Sequence, residues 1–163
     1  VDGQYPQAVI LSCLDSRVPV EKIFDQGIGD LFVGRVAGNI ENEDQLGSME
    51  FAMKEAGSKV VMVLGHEDCG AVKGACDDVK MGNLTALLEN IRPAVKAVEG
   101  FKTEERTSSN PAFVEQVVLA NVRRTVSDIR ESSPILKQME DKGDLLIVGA
   151  VYSLKDGSVR VLE

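Results

Sequence analysis

Apolar positions along the chain fall into two kinds of run. Short, nearly unbroken runs stand at Ala8–Ser12 (AVILS), residues 31–36 (LFVGRV) and residues 59–64 (KVVMVL). Each has the length of a buried strand. A fourth, LLIVGAV, lies within residues 144–151. Between them the apolar period lengthens. Leu46, Met49, Ala52, Met53 and Ala56 predict a helix over residues 43–56, with Gly57 as its terminator. Residues 83–98 predict a helix that bends or breaks at Pro93. Residues 100–109 are polar and irregular, the one long loop. Asn110 then supplies an N-cap and Pro111 the first helical position of a helix reaching to about Glu131. Phe113, Val117, Val118, Val122, Val126 and Ile129 form one side of it. Ser133-Pro134 repeats the start signal for a short helix closed by Gly143, and Lys155-Asp156-Gly157 is a hairpin turn before a last strand at residues 158–162.

Strands alternating with helices, the first three without polar alternation, predict an α/β fold. The sheet is mostly parallel, covered on both faces and flanked by helices, with an antiparallel last strand. The length of 163 residues suits one domain spanning 1–163. Ligands of such sheets bind beyond the carboxyl ends of the strands. That singles out the loops after Ser12 and after Leu64.

Composition narrows the partners. Apolar residues make up 44% of the chain, too many for a disordered one. With five Phe, two Tyr and no Trp, the core has to be aliphatic. The formal charge of −8 repels phosphate backbones and anionic lipid, so neither nucleic acid nor membrane is an expected partner. No apolar run approaches the roughly 20 residues of a membrane span, and no signal-like segment opens the sequence. Three cysteines cannot close a disulfide framework. A reducing, cytoplasmic setting is the expectation, or a periplasmic one had a leader been removed.

The two strand-end loops carry the chemistry. After the first strand comes Cys13-Leu14-Asp15-Ser16-Arg17; after the third comes Gly65-His66-Glu67-Asp68-Cys69-Gly70, with the sole histidine of the chain. Taken singly, either loop reads equally well as core packing. Taken together on one sheet edge, Cys13, His66 and Cys69 form a donor set for Zn²⁺ with one tetrahedral position left open. Cys76 lacks such a context and reads as a structural thiol. Two thiolates cancel the charge of the ion, so the site acidifies water less than a three-histidine site and needs help. Arg17 can grip Asp15 bidentately and keep it ionised. Asp15 can then accept a hydrogen from the metal-bound oxygen, or, freed from Arg17, close the site as a fourth ligand.

CLDSRVP, RVAGN (Arg35 to Asn39) and GHEDCGA, in this order and spacing, resemble the β-class carbonic anhydrases, and LGSMEFA and LLIVGAVY agree. The resemblance implies zinc held by Cys13, His66 and Cys69, with Asp15 and Arg17 as catalytic dyad. It implies reversible hydration of CO₂ to bicarbonate and a proton by a zinc-bound hydroxide. Gln4 and the Gly70 N–H match substrate hydrogen-bond donors, and Phe32 and Ala37 match apolar pocket positions. Ile10 stands where another subclass of the family has a tryptophan supporting an inhibitory bicarbonate site. Only twelve residues precede Cys13, so the N-terminal helical arm usual in the family is expected to be missing. A homodimer or homotetramer with a partly shared pocket is implied. Glu67, next to His66, reads as a solvated loop charge rather than a proton carrier. Two other readings keep the metal: a hydrolase of carbon disulfide or carbonyl sulfide, and a non-enzymatic zinc module closed by Asp15. A third has no metal at all.

Overall fold

The computed structural model describes residues 3–162. Five strands form one sheet: β1 (Ala8–Ser12), β2 (Leu31–Arg35), β3 (Val60–His66), β4 (Leu146–Tyr152) and β5 (Val159–Leu162), in the order β2-β1-β3-β4-β5. The first four in that order run parallel, and β5 pairs antiparallel with β4, as the patterning predicts. The helices are α1 (Val20–Ile23), α2 (Glu43–Lys54), α3 (Gly70–Cys76), α4 (Gly82–Ala97), α5 (Pro111–Ser132) and α6 (Pro134–Asp141). Of these, α1 and α3 are too short to show a period in the sequence. No helix among the described residues is long and apolar enough to cross a membrane.

The caps sit where the side chains demand them. Asn110 accepts from the Phe113 N–H, and Ser133 accepts from the Leu136 N–H, each followed by proline at the first helical position. Of the two outcomes expected at Pro93, a bend or a break, the break does not occur: α4 runs on through it. The missing N–H deprives only the Glu89 carbonyl, on an exposed turn where water substitutes. Buried Leu88, Ile91 and Ala94 hold that helix to the core.

The two sheet faces are covered unequally. On one, Val9, Leu11, Val61, Val63, Ile147 and Val151 meet side chains from α2 to α6, among them Met49, Val72, Ile91, Phe113 and Leu136. Helix α5 lies close: a Cβ at Gly65 or Gly149 would stand 2.5 or 2.7 Å from the methyls of Val122. On the other face, Ile10, Leu64 and Ala150 meet only Val18 and Val20 as buried partners, with Met62, Val33, Tyr152 and Val159 half-covered. Both faces are covered, as expected, but unequally: the second is capped by the short α1 and the segment before it. At about 1.5–3 kcal/mol per fully buried aliphatic side chain, the first face carries most of the stability.

Candidate metal centre

The register of β1 against β3 creates the site. Ser12 lies opposite Leu64, so Cys13, the next residue, comes level with the end of β3, where His66 is the last strand residue. Asp68 takes a left-handed conformation (φ 55°), which aspartate tolerates, and Cys69 follows as the N-cap of α3. Cys13, His66 and Cys69 are all buried, and their donor atoms lie within 4.8 Å of one another. Among the described residues no other three His, Cys, Asp or Glu side chains gather this way.

These donors fit a tetrahedral zinc ion. The two sulfurs are 3.9 Å apart. Thiolates about 2.3 Å from one tetrahedral ion would be about 3.8 Å apart. His66 Nδ1 is hydrogen-bonded to the Glu67 carbonyl at 2.8 Å, which fixes the tautomer. That leaves His66 Nε2 fully buried and without a hydrogen-bond partner. An orphaned buried nitrogen beside two sulfurs is what a metal ligand looks like before the metal is counted. The sulfurs act as a pair. Cys69 beside it holds Cys13 well below the usual thiol range, and Cys13 in turn pushes Cys69 up. Burial opposes protonation of His66, but the Cys13 sulfur, the Glu67 carbonyl and the Asp15 carboxylate together outweigh it and lift the imidazole. The cluster without metal thus shares protons that an ion would displace.

Asp15 stands at the edge of this cluster, its Oδ2 3.8 Å from His66 Nε2. Arg17 grips it in fork geometry: Nε donates to Oδ1 at 3.0 Å and Nη2 to Oδ2 at 2.7 Å, while the Arg17 backbone N–H donates to Oδ1 at 2.9 Å. The Arg17 guanidinium holds the Asp15 carboxyl well below the usual carboxylate range. Arg17 also reaches the Asp68 carbonyl at 3.4 Å and its carboxylate at 3.6 Å, and Lys73 pairs with Asp68 in turn.

The loop bearing Cys13 and Asp15 is held by a residue whose role the sequence did not disclose. Arg35, at the end of β2, donates from Nε to the Cys13 carbonyl at 3.0 Å and from Nη2 to the Asp15 carbonyl at 2.5 Å. It belongs to the RVAGN segment, and its position at a strand end beside the loop was the available signal. Glu67 proves to be a tie: its Oε2 accepts from Ser153 Oγ and the Leu154 N–H, both at 3.1 Å, fastening the β4–β5 connection.

The other sequence-selected residues are spread out. Ala37 opens a 3₁₀ turn, Ala37–Asn39, whose Gly38 N–H donates to the Cys13 sulfur at 3.4 Å. Gly70 is the first residue of α3, so its N–H has no helical acceptor, and a Cβ there would meet nothing within 4 Å. Gln4 is exposed, ahead of β1. Phe32 lies opposite Val9, four residues before Cys13, and packs edge-on against Phe51 at 6.5 Å. Those two rings line a cleft between β2 and α2, which the three donors do not share. Cys76 is half-buried at the end of α3, outside the donor cluster, and burial pushes its thiol up to about 11. Ile10 is buried on the thinly covered face.

Comparison with known proteins agrees with this geometry. The carbonic anhydrase family profile matches residues 8–159. The chain is 36% identical over 160 residues to carbonic anhydrase 2 of Mycobacterium tuberculosis, covering 95% of this chain and 73% of that protein. It superposes on the β-carbonic anhydrase CafA of Aspergillus fumigatus with a TM-score of 0.83 at 25% identity, covering 99% of this chain and 77% of that one. A tetrameric β-carbonic anhydrase of Sordaria macrospora shares the fold, with a TM-score of 0.84 at 22% identity over 98% of this chain and 82% of that one. Sheet order, donor cluster and relatives agree: the chain belongs to the β-carbonic anhydrase family.

Proposed function

We propose that this protein is a zinc enzyme that interconverts CO₂ and bicarbonate, with Cys13, His66 and Cys69 as the metal ligands and Asp15 and Arg17 as its catalytic pair. The observation that carries this is one arrangement: three buried donors spaced for a tetrahedral ion, with an ionised carboxylate 3.8 Å from the imidazole. Bound zinc supplies Lewis acidity, which makes water a usable nucleophile near neutral pH. The three side chains supply three of four tetrahedral positions. Asp15 Oδ2 accepts the hydrogen of the attacking water and aims its lone pair at the carbon of CO₂. Arg17 keeps Asp15 ionised and engaged with its own guanidinium, as an open form of the site would require. Arg35 holds the backbone carbonyls on either side of Leu14, so Asp15 stays in register with Cys13. Water and CO₂ give bicarbonate, and one proton leaves to solvent.

The substrate contacts belong to the same proposal. The Gly70 N–H and the Gln4 amide donate to a substrate oxygen, and Ala37 lends apolar surface beside Cys13. Phe32 faces a cleft on the open edge of the sheet, so its share in a pocket is through a second copy in a homodimer or homotetramer.

The test is CO₂ hydration by stopped flow at pH 8.5 on protein carrying one zinc per chain. Catalysis well above buffer supports the reading, and none overturns it. Carbon disulfide and carbonyl sulfide, run at equal enzyme, separate the hydrolase alternative. X-ray absorption at several pH values separates the closed module, which would show four protein ligands throughout.

A further inference from the structure

We infer that Asn121 is a positioning residue for the metal centre: by holding the Gly38 carbonyl, it keeps the Gly38 N–H on the sulfur of Cys13. The inference rests on the zinc reading above. Asn121 is buried on α5, 2% exposed, within an otherwise apolar run that includes Val117, Val118 and Val122. An amide in such surroundings is costly unless its polar atoms are paired. Its Nδ2 donates to the Gly38 carbonyl at 2.8 Å, across 83 residues of sequence. The Gly38 N–H, on the other side of the same Cα, donates to Cys13 Sγ at 3.4 Å. The Asn39 N–H closes the turn on the Val36 carbonyl at 2.9 Å.

No residue but glycine fits at position 38. Its φ is 76°, in the left-handed region, and a Cβ would stand 2.5 Å from Ile91 Cδ1 and 3.3 Å from Ala71 Cβ. Glycine permits the turn but also leaves it free to move, since glycine has the widest choice of backbone conformations. The Asn121 hydrogen bond removes that freedom from the α5 side. Its consequence at the sulfur is chemical as well as geometric. An N–H aimed at a thiolate stabilises its charge and fixes which lone pair is left for a metal ion, so loss of the bond weakens metal binding. Partners of this outer kind typically change metal affinity or activity about 10- to 100-fold.

The test compares Asn121→Leu with Val126→Ala, a buried change on the same helix that touches neither Gly38 nor Cys13. Zn²⁺ affinity is read by chelator competition, and the sulfur-to-cobalt charge-transfer band is read in the Co²⁺-loaded protein. The expected result is a dissociation constant raised about 10- to 100-fold and a shifted band for Asn121→Leu, with both unchanged for Val126→Ala. Wild-type values in a folded Asn121→Leu protein would overturn the inference, as would equal effects in the two variants. A second measurement needs no variant: in cadmium-113-loaded wild-type protein, the Gly38 amide proton shows a scalar coupling to the metal. Its absence overturns the inference even if Asn121→Leu does not fold. Failure of wild-type protein to bind Zn²⁺ would instead bring down the zinc reading itself.

Discussion

Among the described residues, two arginine–carboxylate forks have nearly the same geometry. Arg17 meets Asp15 with bonds of 3.0 and 2.7 Å, and Arg130 meets Glu140 with two bonds of 2.7 Å. Each arginine also reaches a backbone carbonyl, Arg17 that of Asp68 at 3.4 Å and Arg130 that of Ile147 at 2.9 Å. Each carboxyl is held below its usual range by its arginine. Yet the second fork ties α6 to α5 and β4, whereas the first stands beside three buried metal donors. A bidentate pair is therefore no mark of catalysis. What separates the two is a neighbour: an imidazole nitrogen 3.8 Å from the Asp15 carboxylate.

If zinc binds as proposed, its removal is the most drastic way to erase the difference. Cys13→Ser is expected to weaken zinc binding about 100-fold or more and to abolish CO₂ hydration with it, as elemental analysis and stopped flow would show. Asp15→Asn attacks the pair while sparing the donors. Hydration is expected to fall about 100- to 1000-fold with one zinc per chain retained. Equal metal loss in these two variants would mean that Asp15 is a ligand instead. Arg17→Ala frees the carboxylate, so activity is expected to drop about 10- to 100-fold. X-ray absorption should then show an oxygen ligand from Asp15 in place of solvent.

The smallest effect belongs to the second fork. Glu140→Gln is expected to leave hydration within about twofold and to cost about 1–2 kcal/mol of stability at neutral pH, measured by urea unfolding. The Arg130 guanidinium holds the Glu140 carboxyl below its ordinary value of 4.5, so the pair contributes fully above that value. Its contribution fades as pH falls through the lowered folded value. The gap between wild type and Glu140→Gln should accordingly close in acid and not in base. A gap independent of pH would show that packing, not charge, is lost.

Much of this was legible in the sequence, for local reasons. Four apolar runs and a turn signal sufficed for a five-stranded, mostly parallel sheet, because strand and helix periods differ and buried parallel strands need no polar alternation. The parallel sheet then put Cys13 and His66 on one edge, because ligand sites of such sheets lie beyond the strands' carboxyl ends. Pro93 does not break α4, since its missing bond falls on an exposed turn that water can serve. The thin cover over Ile10 and Leu64 was hidden, for apolar residues on both faces of a strand do not say how much chain is available to cover each.

Residue order placed Cys13, His66 and Cys69 at or just beyond strand ends, because two apolar runs stop there; they meet because the sheet makes β1 and β3 neighbours. Only the tertiary structure decided their spacing, the orphaned nitrogen of His66 and the clamps of Arg35 and Asn121. Those depend on strand register and on the seat of α5 over Gly65 and Gly149, where contacts between residues far apart in the chain set ångström distances that no local pattern encodes.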